Sequence, residues 1–138
     1  RGAGEPVGNL IDSSILIAAE RGRLDLAEHL ERRLDDRFAI AAITLSEALH
    51  GVHRLQGVRQ VRARALLDRW LQQLPVVPFG RPVAETHAVL GADLAGRGET
   101  MGAHDLQIAA TAVHLGYDVV TRDRRSFARL ADLPVQYW

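Results

Sequence analysis

Cysteine is absent from the 138 residues, which removes disulfides, thiolate zinc sites and cysteine nucleophiles together. A chain without sulfur bridges fits most easily in a reducing compartment. Lysine is absent too, so all 17 basic residues are arginine. That excludes the lysine of a P-loop and argues against phosphoaspartate receivers and aspartate-nucleophile phosphatases, which rely on one. No apolar run approaches the roughly 20 residues of a membrane span, and no charged-then-apolar leader opens the chain, so a cytoplasmic location without membrane association is expected. Net charge is also lacking, since 17 acids balance 17 bases. Attraction to nucleic acid must therefore come from local asymmetry.

What is present suits one globular domain: 47% of the residues are hydrophobic and 25% charged, enough for a substantial core. Residues 1–8 (RGAGEPVG) read as a flexible tail or cloning remnant, and residues 9–138 as a single domain. Short apolar runs at 9–11, 38–43, 75–79, 118–121 and 135–137 predict strands, the third at a sheet edge because of its prolines. Helical periodicity predicts helices over 15–19, 24–34, 44–55 and 58–74, another from Pro82 to the glycines at 96–98, and a short one near Ser126. The segment ETMGAHDLQIAATAVHLGYDVVTRD (99–123) adds a helix with Leu106, Ala109, Ala110 and Val113 on one face and Gly116 as C-cap. A strand over 118–121 follows it.

Strands alternating with helices imply a mostly parallel sheet covered on both faces, a three-layer α/β/α architecture whose ligands bind beyond the carboxyl ends of the strands. Asp12 ends the first strand, Glu47 lies one helical turn past the second, and Asp123 follows the strand at 118–121. A helix antiparallel to that strand brings Asp105, in its first turn, to the same edge. Each acid also has an ordinary role open to it. Asp12 with Ser13 can cap a helix, Thr44-x-x-Glu47 matches a capping box, Asp105 suits the helix dipole, and Asp123 suits a turn. Four acids at one rim would repel one another, however, and a divalent cation would relieve that. Hard oxygen ligands favour Mg²⁺ or Mn²⁺, the chemistry of a phosphodiesterase. Ser13, Ser14 and Thr121 are placed to support the carboxylates.

The segments IDSS (11–14), SE (46–47), GAHDLQIAATA (102–112) and VVTRD (119–123) resemble the PIN domain, and in particular the VapC-type toxins of bacterial toxin–antitoxin pairs. The resemblance spans the chain from about residue 9 onward, and its most specific part is D-x-x-I-A-A-T-A followed by T-R-D. It implies a five-stranded parallel sheet in the order 3-2-1-4-5, metal-dependent endoribonuclease activity, inhibition by a cognate antitoxin, and homodimerisation, with Trp70 a candidate contributor or else a core residue. Matched position by position, the catalytic and metal-binding acids are Asp12, Glu47, Asp105 and Asp123, with Ser13 or Thr121 supporting. The position of Asp123 is often asparagine in that family. The competing reading is a PIN-like RNA- or protein-binding module without activity.

Other patterns are weaker. Glu47-x-x-His50 is half of a di-iron motif that needs a helical bundle, and His50-x-x-His53 lacks further zinc ligands. An aspartyl phosphatase would want an aspartate where Ser14 stands. His104 beside Asp105 is a candidate contact to substrate. Arg54, Arg59, Arg62, Arg64 and Arg69 form a basic stretch with only Asp68 for acidic company, and Arg59 and Arg62 are its candidate RNA contacts.

Overall fold

The apolar runs become the interior of one sheet. In the computed structural model, which describes residues 5–138, the element order is β1 (Gly8–Ile11), α1 (Ser13–Glu20), α2 (Leu26–Glu31), β2 (Arg37–Ala41), α3 (Ala42–His53), α4 (Gly57–Leu71), β3 (Val76–Val77), α5 (Arg81–Gly96), α6 (Ala103–Leu115), β4 (Asp118–Thr121) and β5 (Val135–Tyr137). The strands pair in parallel in the order β3-β2-β1-β4-β5, as the resemblance implied. β3, bracketed by Pro75 and Pro78, stands at an edge, where a missing backbone donor costs least.

Adjacent strand residues point to opposite faces, and this splits the core in two. Leu10, Ala39, Ala41 and Val119 pack with Ile108, Ala109 and Ala112 of α6 on one face. Ile11, Ile40 and Val120 pack with Ile15 and Leu16 of α1 and Leu26 and Leu30 of α2 on the other. Truncating one of these fully buried aliphatics to alanine costs about 2–5 kcal/mol. β1 and β4 lie between both layers, and their central residues Leu10, Ile11, Val119 and Val120 are apolar and fully buried. α6 is buried from Ile108 to Ala112 without a break, and small alanines let it lie close against the sheet and α5. It ends at Gly116 in the left-handed conformation, φ 71°, where a side chain would be strained.

Several boundaries differ from the sequence expectation for identifiable reasons. The run 38–43 does not stay extended: β2 stops at Ala41, and Ala42 and Ile43 already belong to α3, because an apolar run alone cannot distinguish a buried strand from a buried helix turn. α2 is shorter than expected, since the Asp25 carboxylate accepts the Glu28 N–H and starts the helix there. The segment near Ser126 forms turns, not a helix. At the N-terminus the sheet begins earlier than residue 9. Gly8 opens β1 against the Tyr117 ring, with which any Cβ at that position would collide, and the Val7 N–H donates to Asp36 Oδ1 at 2.9 Å. Of the expected tail, residues 1–4 lie outside the described residues. No helix among the described residues is long and apolar enough to cross a membrane.

Candidate active site

β1 and β4 run side by side with Ile11 opposite Val120, and the ladder continues one step further as the Asp12 N–H donates to the Val120 carbonyl at 2.9 Å. That step sets Asp12 beside Thr121 at the carboxyl edge of the sheet. Asp12 holds the N-cap position of α1 and yet makes no side-chain cap bond. Its buried carboxylate instead accepts from three hydroxyls: Thr121 Oγ1 to Oδ2 at 2.7 Å, Ser14 Oγ to Oδ2 at 3.1 Å, and Ser13 Oγ to Oδ1 at 3.3 Å. A carboxylate has about four acceptor positions, so Oδ1 retains capacity for a further partner. Ser14 and Thr121 also lie 3.2 Å apart, and each accepts a backbone N–H from the next loop: Arg122 N–H to Ser14 Oγ and Asp123 N–H to Thr121 Oγ1, both at 3.0 Å. The same two hydroxyls thus fix Asp12 and the loop that carries Asp123.

Glu47 does not close a capping box. α3 begins at Ala42, two residues before the expected start, so Thr44 falls inside its first turn and Glu47 in its second. The Glu47 carboxylate turns to the neighbouring helix, with Oε2 3.2 Å from His104 Nδ1 on α6. Glu47 Oε1 is buried and has no hydrogen-bond partner. A buried carboxylate oxygen without a donor is costly unless something else meets it.

Asp105 occupies the first turn of α6, behind a Gly102 cap that has no side chain to offer. Its carboxyl is pushed above the ordinary range, first by burial and then by the charges of Asp12, Asp123 and Glu47, an effect that the Ser126 hydroxyl partly offsets. Asp123 is exposed and behaves as a turn residue. Its Oδ1 accepts the Arg125 N–H at 2.8 Å and its Oδ2 accepts from Ser126 Oγ at 2.7 Å. Those bonds, with the Arg125 N–H foremost, hold its carboxyl below the usual range.

Asp12, Glu47 and Asp123 thus lie within electrostatic reach of Asp105. Their contact is looser than the sequence argument pictured. Among the described residues, no three acidic or histidine side chains stand close enough to enclose a metal ion. The cause is local: Asp12 is held by hydroxyls, Asp123 by its own loop and Glu47 by His104. The donor set still suits a hard divalent cation, since every candidate donor is a carboxylate oxygen, Glu47 Oε1 is unpartnered and Asp105 lies in the field of Asp12, Asp123 and Glu47.

Arg59 and Arg62 are exposed on α4, which packs against α3 through its Ala63 and Leu67 face. Their neighbour Arg64 is engaged by Asp68 at 3.1 Å. Two features escaped the sequence reading. Ser14 contacts more of the rim than Ser13 does, as nothing in the pair of serines reveals. A concavity of about 560 Å³ beside the rim is lined by arginines from both ends of the chain, Arg21 and Arg23 with Arg122, Arg124 and Arg125. Its signal was divided between RGR at 21–23 and RDRR at 122–125, which only the β1–β4 pairing brings together.

Comparison with known proteins gives the family and the fold. The PIN domain family model matches residues 10–133. A protein of Rickettsia felis named Ribonuclease VapC1 is 32% identical over 130 residues, covering 94% of this chain and 95% of that one. Among solved structures, the DNA-bound VapBC of Salmonella typhimurium superposes with a TM-score of 0.83 at 23% identity, over 96% of this chain and 98% of that one, a likeness of fold. VapBC-5 of Mycobacterium tuberculosis, described as a member of the VapBC family of toxin–antitoxin systems, superposes with a TM-score of 0.71 at 28% identity over 96% and 98%.

Proposed function

The chain belongs to the PIN-domain family and to its VapC group, and from that premise we propose that it is an endoribonuclease toxin restrained by a cognate antitoxin, hydrolysing RNA phosphodiesters at Asp12, Glu47, Asp105 and Asp123 with Mg²⁺ or Mn²⁺. The observation that supports the site is that neither Asp12 nor Glu47 caps its helix: Asp12 is held by three hydroxyls at the sheet edge, and Glu47 meets His104 of α6 with one buried oxygen left unpartnered. Helix capping therefore does not account for either residue.

The four carboxylates are the residues that would hold the cation. When bound, it supplies a water of lowered pKa and offsets charge on the phosphodiester. The chain's own groups do the positioning. Thr121 and Ser14 fix the orientation of Asp12 by hydrogen bonds to Oδ2. Glu47 orients the His104 ring through Nδ1, which leaves Nε2 as the nitrogen available to RNA. Burial and neighbouring charge raise the Asp105 pKa, so its carboxyl holds a proton more readily than a free aspartate does. In hydrolysis a water oxygen bonds to phosphorus, the phosphorus–sugar oxygen bond breaks, and a proton reaches the leaving oxygen.

An antitoxin would satisfy the same rim by inserting an arginine or lysine among the carboxylates. Homodimerisation belongs to this reading as well, although Trp70 is half-buried between two core clusters and therefore serves the monomer too. Light scattering reads the oligomeric state. The function is tested by incubating the purified chain with total cellular RNA in Mg²⁺, Mn²⁺ or chelator, with and without co-expressed antitoxin. Cleavage confined to the metal conditions and suppressed by antitoxin is expected; equal degradation in all of them would contradict the reading.

A further inference from the structure

The arginine-lined concavity beside the rim is not used by any step above. Its walls come from two places. Arg21 and Arg23 follow the C-terminal end of α1, and Arg122, Arg124 and Arg125 lie on the loop after β4. Five arginines thus line a space of about 560 Å³, in a protein whose overall charge is zero. Among the described residues, Asp123 is the one acid on the lining, and its carboxylate is occupied by the Arg125 N–H and the Ser126 hydroxyl. The ion pairs among the described residues lie elsewhere, at Glu28–Arg32, Arg64–Asp68, Arg81–Glu85, Arg97–Glu99 and Glu47–His104. Arg122 donates to the Trp138 carbonyl at 3.2 Å, and the Arg124 guanidinium sits 4.2 Å from the centroid of the Tyr137 ring. Both side chains are thereby held in place without losing their charge.

Self-repulsion among five cations makes such a grouping unfavourable by itself, and the fold nevertheless maintains it at one spot. It is also continuous with the candidate active site. Ser14, which donates to Asp12 and accepts the Arg122 N–H, lines this concavity as well.

We propose that the Arg21/Arg23 and Arg122/Arg124/Arg125 concavity binds backbone phosphates of single-stranded RNA beside the scissile bond, so that the strand runs from this basic groove across the acidic rim. The inference rests on the RNA-cleaving reading and deepens it. Arginine forks match phosphate oxygens bidentately, and none of these contacts reads base identity. The acids alone repel RNA. The groove supplies the local asymmetry that zero net charge requires, at the place where the chain needs it.

The test is equilibrium binding of a fluorescent single-stranded RNA by the full chain in chelator, where nothing is cleaved, over a range of salt. Each phosphate contact contributes about 0.7 to the slope of log affinity against log salt for single strands. Arg21→Ala/Arg23→Ala and Arg124→Ala/Arg125→Ala are each expected to flatten the slope by about 1 to 1.4. Arg124→Lys/Arg125→Lys should retain most of it. The thermal shift on adding Mn²⁺ should be unchanged in every variant, which reports a folded chain with its rim intact. A wild-type slope in both alanine variants overturns the proposal. So does a loss of antitoxin affinity with RNA binding preserved, which would assign the groove to an acidic segment of the antitoxin. Should wild type bind RNA through these arginines but cleave none with Mn²⁺, the cleavage reading fails and the groove assignment stands.

Discussion

At the scale of single residues, Asp105 separates a shared site from ordinary helix chemistry. Its folded-state pKa is raised, so between the unfolded value and the folded one the native state binds more protons. Stability contributed by this group therefore falls as pH rises through that window. Asp105→Asn should melt above wild type in chelator near neutral pH, with the difference vanishing once pH drops below the carboxylate range. It should also show a smaller upward shift with Mn²⁺, since losing a charged ligand weakens affinity for the folded state. If Asp105 only complements the dipole of α6, the substitution costs about 0.3–1 kcal/mol instead and leaves the Mn²⁺ shift as it was. Calorimetric melts in both conditions distinguish the two. Thr121 makes a second case. It is fully buried and bonded to Asp12 and to the Asp123 N–H, so Thr121→Val should cost about 1–3 kcal/mol in denaturant melts. It should slow cleavage by about 10- to 100-fold, the usual penalty for losing an outer partner of a ligand.

The elements show where sequence was informative. The strand 118–121, the Gly116 cap and the edge position of β3 were legible because each has a local physical cause: a short apolar run, a left-handed φ, and prolines without donors. The acids were legible for a topological reason, since strand ends in a parallel sheet share an edge. What escaped were specific side-chain contacts between positions distant in the chain. The hydroxyl bridge from Ser14 and Thr121 to Asp12 spans more than 100 positions. So too, Asn9 looked like an ordinary strand residue, yet it is fully buried and joins three strands. Its Nδ2 donates to the Val7 and Arg37 carbonyls, both at 3.0 Å, while its Oδ1 accepts from Gln136 Nε2 at 2.8 Å. Asn9→Leu leaves those partners buried and unmet, and should destabilise by about 1–3 kcal/mol in a denaturant melt. The end of the chain is a further long-range contact. Trp138 stacks on His29 of α2 with centroids 4.5 Å apart, under the Arg33 guanidinium. Burial, then Arg33 and Arg32, lower the His29 pKa. Protonation thus favours the unfolded chain, so stability is present above about pH 6.5 and declines as pH falls toward the folded value. His29→Phe should remove that part of the pH dependence, which thermal melts at pH 7.5 and 5.5 would reveal.

For the whole molecule, the two chemistries of the carboxyl edge have to act together. An acidic rim suited to a cation lies against a basic groove suited to phosphate, joined by Ser14, while net charge stays at zero. Such an arrangement attracts RNA only locally, so binding should weaken steeply with salt. An antitoxin that neutralises the rim competes where the metal and the scissile phosphate would meet. Most direct for the central claim is the single-turnover cleavage rate of one short RNA in Mn²⁺ by wild type and by Asp12→Asn, Glu47→Gln, Asp105→Asn and Asp123→Asn. The first three should fall by about 100-fold or more while RNA binding in chelator persists, as expected when a charge-stabilising group is lost from a reaction centre. Asp123→Asn should fall less, because an asparagine oxygen can still accept the Arg125 N–H. Near-wild-type cleavage by Asp12→Asn or Asp105→Asn would contradict the assignment of RNA hydrolysis to this rim.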